Sequence, residues 1–100
     1  MSNTEKIIKI AKYVGTFAEN KDVARDIRKQ QVEPALNQPQ SVILDFKGVD
    51  GVTQSFIHAL ISDVIRVYTS EILDQLLFKN CNDDVKGIIS IVVDYMQQID

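Results

Sequence analysis

The sequence predicts an α/β fold with a small, mostly parallel sheet and alternating helices. Apolar runs of strand length alternate with segments whose apolar residues recur every three or four positions. The resulting order, strand–helix–strand–helix–strand–helix, is typical of parallel sheets with right-handed crossovers. The chain has 100 residues, 45% hydrophobic and 25% charged, which is the balance of one globular domain. We therefore expect residues 1–100 to form a single domain.

The first strand is predicted over residues 6–14, within the Ile- and Val-rich stretch "EKIIKIAKYVG". A helix follows in "AENKDVARDIRKQQVE", where a set of mostly apolar residues shares one face. These are Val23, Ala24, Ile27 and Gln31.

Both ends of this first helix carry boundary residues. Asn20 or Thr16 could cap its start, and Thr16 has capping-box spacing to Glu19. At the other end, Pro34 disfavours helical geometry at Glu33, so we expect the helix to end or kink there.

The second strand is predicted in "SVILDFKG", a short apolar run that ends at Gly48. Its alternation places Val42, Leu44 and Phe46 on one side, and Ile43, Asp45 and Lys47 on the other. Its nearly continuous apolar character predicts a strand covered by helices on both faces.

The second helix, "QSFIHALISDVIRVY", carries a wide apolar stripe. The stripe consists of Phe56, Ile57, Leu60, Ile61, Val64, Ile65 and Tyr68. His58, Ser62 and Arg66 step along the opposite side.

A third strand is predicted over residues 75–79, and a last helix follows it, with Asn82 as its N-cap and two aspartates in its first turn. Its inward side chains are expected to be Val85, Ile88, Ile89, Val92, Val93 and Met96. We expect one core to contain Val42, Leu44, Phe46, Leu60, Val64, Leu77, Ile89 and Val92.

Charge and composition argue against several functions. A net charge of −3, with Lys and Arg spread along the chain, lacks the basic face of nucleic-acid binders and is unsuited to anionic membranes. Lysines interrupt the N-terminal stretch, so it does not resemble a signal peptide, and no apolar run could span a membrane. The single cysteine excludes an internal disulfide. We expect a cytoplasmic protein.

No motif for catalysis, a metal or a cofactor is recognisable. Phosphate-binding glycine loops are absent, and "GVDG" is interpreted as a turn. His58 could serve Ser55 or Ser62 as a base, but no matching acid or oxyanion motif accompanies it. Cys81 is interpreted as a packed residue whose acidic surroundings raise its thiol pKa, and Asp45 as a hydrogen-bond acceptor near the turn. We therefore expect no enzyme, no metal and no cofactor.

The start of the second helix, Thr53-Gln54-Ser55, holds two hydroxyls. Thr53 is the expected cap, which leaves Ser55 in the first helical turn without that role. The stretch "LDFKGVDGVTQSFIHAL" resembles the signature of STAS-like domains, and this resemblance extends to the later "LLFKNCNDDVKGIISIV". It is more distantly similar to the STAS domains of anti-sigma-factor antagonists, in which Asp-Ser-Ser-Gly-Leu opens the helix.

The resemblance implies a STAS-like fold and a regulatory role. In the antagonists a partner kinase phosphorylates the second serine of the motif, and Ser55 falls on that position. Thr53 and Phe56 replace the aspartate and the glycine of the motif. The implied function is a non-enzymatic signalling module that binds an anti-sigma-type kinase or ATPase, with Ser55 as the switch and Thr53, Phe56 and Ile57 as further contact candidates. The alternatives are a self-associating module without a switch, for instance a homodimer, or a small enzyme.

Overall fold

The computed structural model describes residues 5–68, 72 and 74–98. Part of the N-terminal stretch, which was predicted not to be a signal peptide, lies outside the described residues. The strands are β1 (Glu5–Lys9), β2 (Phe17–Ala18), β3 (Ser41–Asp45), β4 (Gly51–Val52) and β5 (Leu76–Lys79). The helices are α1 (Ala11–Val14), α2 (Lys21–Ile27), a π-helical turn (Arg28–Val32), α3 (Glu33–Leu36), α4 (Gln54–Tyr68) and α5 (Asp83–Gln98). The predicted α/β class with small parallel sheets is confirmed.

The main sheet has the order β1–β3–β5, and both strand pairs are parallel. In its register Ile7 lies beside Ile43, and Ile43 lies beside Leu77. A second, two-stranded sheet pairs β2 with β4 in parallel. Neither of these two short strands was predicted, because two residues are too few to show an alternating pattern.

The three long helical segments pack in one layer, with α4 between α2 and α5. The strands advance in a single direction across the sheet, so right-handed crossovers bring both connecting helices to the same face. Ile7 and Leu77, on the other face, lie outside the core cluster, and Ile7 is 50% exposed. Because the described helices lie on one face, the expectation that β3 has helices on both faces is wrong for the described residues, although Ile43, between Ile7 and Leu77, is 5% exposed.

The core lies between this helix layer and the sheet. Seven of the predicted core residues belong to one buried cluster: Val42, Leu44, Phe46, Leu60, Val64, Ile89 and Val92. The eighth, Leu77, is an exception, because it points to the open face and is only half-buried.

The first predicted strand is too long. It ends at Lys9, and the chain turns helical over Ala11–Val14 because the Ile10 carbonyl accepts hydrogen bonds from the amides of Tyr13 and Val14. The Ile and Val content of this stretch favoured a strand, but the local hydrogen bonds decide otherwise.

The helix after β2 begins at Asn20, one of the two predicted caps, and of the two outcomes expected at Glu33, an end or a kink, the end is not observed. The Asn20 side chain accepts hydrogen bonds from the amides of Asp22 and Val23, so the alternative cap at Thr16 is wrong. The helical path does not end at Glu33. A π-helical turn precedes Pro34, which lies in the first turn of α3, where proline's missing N–H is tolerated.

Candidate functional site

Backbone hydrogen bonds within the preceding loop and to β2 fix the position of the start of α4. Gly48 has a φ of 89°, and the Val49 amide donates to the Phe46 carbonyl at 2.9 Å, which closes a turn over residues 46–49. The turn predicted at "GVDG" therefore lies two residues earlier, because Gly51 already belongs to β4. β4 then pairs with β2, and the Thr53 amide donates to the Ala18 carbonyl at 2.9 Å. The first residues of α4 therefore occupy a defined position.

Thr53 caps α4, as predicted. Its Oγ1 accepts a hydrogen bond from the Phe56 amide at 3.1 Å, and its carbonyl accepts one from the Ile57 amide at 3.2 Å. The Ser55 hydroxyl lies 3.3 Å from that of Thr53 and is exposed. The two hydroxyls therefore differ: Thr53 satisfies a helix amide, and Ser55 is presented to solvent.

Phe56 and Ile57 lie in the core rather than on the surface. Both side chains are 0% exposed. Their expected part in a partner contact is inconsistent with this burial, because α4 directs them toward the sheet. The exposed neighbours of Ser55 on α4 are Gln54 and His58, and these are the side chains that a partner could reach.

The carboxyl end of the sheet carries a second polar group of residues. Asp45 accepts hydrogen bonds of 2.9 Å from the Asn80 side chain and from the Lys47 amide, as expected of an acceptor near the turn. These two bonds, with that from Asn80 first, lower the pKa of Asp45 below its usual 3.8.

Cys81, beside this group, is half-buried, and its Sγ lies 3.7 Å from the Lys79 carbonyl. The pKa of Cys81 is raised from 9.0, which is the predicted direction. Burial is the largest cause, and the carboxylate that contributes is that of Asp45. The aspartates at the start of α5, on which the prediction rested, are not among the causes.

A polar groove between α2 and α4 was missed by the sequence reasoning. We call it the basic groove; it is lined by Lys21, Arg25, Arg28, His58, Ser62 and Asp63, and has a volume of about 250 Å³. At its base, the Arg28 side chain is 9% exposed and pairs with Glu33 at 2.8 Å and with Asp63 at 3.2 Å. Its Nε also donates to the Ala59 carbonyl at 3.2 Å.

Ser62 and His58 lie along the α4 wall of the basic groove. Ser62 was expected on the exposed side of its helix, but it is 3% exposed because α2 packs against it. Its Oγ lies 3.4 Å from Nδ1 of His58. His58 therefore lies against Ser62, and within the described residues it makes no hydrogen bond to Ser55 or to a carboxylate.

Residues 23–86 match the model of one protein family, described as a STAS-like domain of unknown function (DUF4325). The chain belongs to this family. The matched part begins in α2 and ends in α5, so it includes Ser55, the cap of α4 and most of the basic groove. Neither curated proteins nor solved structures gave a match.

Two further observations concern the described part of this STAS-like domain. It contains no cluster of three or more His, Cys, Asp or Glu side chains that could hold a metal ion. It also contains no helix with the length and apolar character needed to cross a membrane.

The ion pairs of Arg28 could not be predicted from the sequence. Its partners, Glu33 and Asp63, lie five residues away across a π-helical turn and on another helix. A buried arginine becomes recognisable only when the packing of α2 on α4 is known.

Proposed function

We propose that this STAS-like domain is a non-enzymatic regulatory module whose binding to a protein partner is controlled by phosphorylation of Ser55. The observation that carries the proposal is the exposed Ser55 hydroxyl in the first turn of α4, above a cap that Thr53 supplies independently. A phosphate at Ser55 would add about −1.5 to −2 charges to the surface without removing a core contact or the cap.

The proposed partner is an anti-sigma-type kinase or ATPase, and the proposed output is signalling or transcriptional control. Support comes from the resemblance of the α4 start to the antagonist motif, in which the serine at this position is the phosphorylated one. The exposed Gln54 and His58 beside Ser55 would form part of the docking surface. A charge desolvated in such an interface without a counter-charge weakens binding.

The experiment is partner capture from native cells with mass spectrometry, using wild type, Ser55→Ala and Ser55→Asp as baits. We expect Ser55→Asp to lose a partner that Ser55→Ala retains, and phosphate to be found on Ser55 in cells. Ser90, an exposed serine on α5, supplies the control variant Ser90→Asp, which should capture like the wild type. Equal capture by all four baits, with no phosphate on Ser55, would contradict the proposal.

Self-association without a switch is the second candidate, and the open face of the sheet favours it. Ile7, Ile43 and Leu77 form an apolar row across that face, in which Ile7 is 50% exposed, Leu77 is half-buried and Ile43 is 5% exposed. Sedimentation of the wild type and of Ile7→Lys distinguishes this candidate: a dimer that Ile7→Lys dissociates supports it, and a monomer at all concentrations excludes it.

A further inference from the structure

The side chains that line the basic groove include more cations than carboxylates, whereas the protein as a whole is acidic. Three of the eleven Lys and Arg residues line it, with one carboxylate, in a chain whose net charge is −3. A concave site lined by cations attracts anions more strongly than the same charges spread over a convex surface. Asp22, Glu33 and Asp63 pair with the two arginines, so attraction of an anion depends mainly on Lys21 and on the unused N–H groups of Arg25.

Some hydrogen-bond donors in the basic groove already bond to protein groups, and others have no partner among the described residues. Arg28 is committed to Glu33, Asp63 and the Ala59 carbonyl. Arg25 uses Nη2 for Asp22, and its remaining guanidinium N–H groups are available. Lys21 has no ion pair within the described residues. The groove therefore offers an ammonium and part of a guanidinium to a ligand.

His58 adds a further polar group with a restrained orientation. Because Nδ1 of its ring lies beside Ser62 Oγ at 3.4 Å, the other ring nitrogen is left for a ligand. Imidazole, ammonium and guanidinium groups together are donors suited to a phosphoryl oxygen.

We propose that the basic groove binds a phosphoryl group, with Lys21, Arg25 and His58 as its donors. Arg28 is a positioning residue, because it fixes α2 against α4 through Ala59 and Asp63. The phosphoryl group has two possible sources: free phosphate, or a phosphate carried on Ser55.

Ser55 does not line this groove, but its position on α4 places it next to one end. It precedes His58 by three residues on α4, so the two are neighbours on the helix surface. α2 and α4 both lead from one parallel strand to the next, so they run in the same direction, and Arg28 meets Ala59 and Asp63 farther along. Lys21, at the start of α2, thus lies toward the same end as Ser55.

The second source rests on the proposed function, because it requires Ser55 to be a phosphorylation site. In that case the groove would hold the phosphorylated side chain against its own domain and bring its charge close to Lys21. The first source does not depend on any modification.

The first arm of the experiment titrates inorganic phosphate into the isotope-labelled protein and follows the backbone amides and the His58 ring by NMR. We expect saturable shifts confined to the basic groove, and binding roughly tenfold weaker or more in Lys21→Gln/Arg25→Gln. The control Lys29→Gln/Lys86→Gln removes the same charge from exposed positions outside the groove and should bind like the wild type. Equal losses in both double variants would show only a general charge effect and would count against this source.

The second arm uses protein with phosphoserine installed at position 55 and follows the phosphorus resonance against pH. The second pKa of the phosphate, about 6 when unperturbed, should be lowered, and Lys21→Gln/Arg25→Gln should restore it. A groove-specific result in either arm supports the proposal and identifies its source. Failure of both arms overturns it. Neither arm measures partner capture or phosphate in cells, so failure of the proposed function would be seen separately.

Discussion

The side chain of Asn80 donates a hydrogen bond of 2.9 Å to the carboxylate of Asp45, and so joins the carboxyl ends of β5 and β3. Asn80 has a φ of 59°, a left-handed conformation that asparagine tolerates better than most residues. With the bond from the Lys47 amide, this contact lowers the pKa of Asp45 in the folded protein.

The first prediction is a pH dependence of stability at Asp45. A carboxyl group whose pKa is lowered by folding contributes stability above its unfolded value of 3.8, and that contribution is lost as the pH falls through the folded value. Denaturant melts of wild type and Asp45→Asn should therefore converge as the pH falls below 3.8. Asp50→Asn, on the neighbouring loop, is the control and should retain the wild-type profile; a wild-type profile in Asp45→Asn would contradict the assignment.

The second prediction concerns the central strand. Leu44 is 0% exposed and belongs to the core cluster. Leu44→Ala should lower the free energy of unfolding by about 2–5 kcal/mol. Lys47→Ala, just beyond the strand and exposed, should change it little. A loss below about 1 kcal/mol for Leu44→Ala in denaturant melts would be incompatible with this packing.

The third prediction separates the two hydroxyls at the start of α4. Thr53→Ala removes the acceptor of the Phe56 amide and should lower the free energy of unfolding by about 0.5–2 kcal/mol. Ser55→Ala should cost much less, and Ser55→Asp should leave the fold intact, because the helix dipole favours an acidic group in the first turn. Thermal melts of the three variants check this order, and an equal loss in Thr53→Ala and Ser55→Ala would refute it.

The fourth prediction compares two arginines that share Asp63. Arg28 is 9% exposed and also bonds to Glu33 and Ala59, whereas Arg66 is 62% exposed. Arg28→Met should cost roughly 1.5–3 kcal/mol through lost charge-assisted hydrogen bonds. Arg66→Met should cost less than about 1 kcal/mol, as expected of a surface pair. Chemical denaturation measures both, and the reverse order would show that Arg28 does not hold α2 against α4.

The fifth prediction concerns Cys81. Burial raises its pKa, so the thiolate that reacts with alkylating reagents is scarce at neutral pH. The folded protein should be alkylated more slowly than the same protein in denaturant, and the ratio of the two rates can be followed by mass spectrometry. Faster alkylation in the folded state would show an activated thiol instead.

The sequence predicted the features that depend on interactions between residues close together in the chain, namely helix caps and the buried faces of helices. The caps at Asn20, Thr53 and Asn82 follow from side chains that accept bonds from nearby amides, and the structure shows all three. The apolar stripes of α4 and α5 likewise predicted their buried faces, including Phe56 and Ile57.

The remaining features depend on how distant segments pack. The burial of Ser62 and Arg28 requires α2 to lie on α4, and the half-buried position of Leu77 follows from the strand order. The same limit applies to the basic groove, since its cations come from α2 and the π-helical turn and its histidine from α4. No spacing within a single segment carries that information.

The strand order also has a consequence for the growing chain on the ribosome. Glu5 pairs with Ser41, and Val42 pairs with Leu76, so each pair of neighbouring strands closes a loop of about a third of the chain. A nascent chain that has emerged only through α4 would expose one unpaired edge of β3, since β5 completes the sheet there. We expect fragments that stop before Leu76 to be cut readily by proteases while the full chain resists, so cooperative folding would await the last strand.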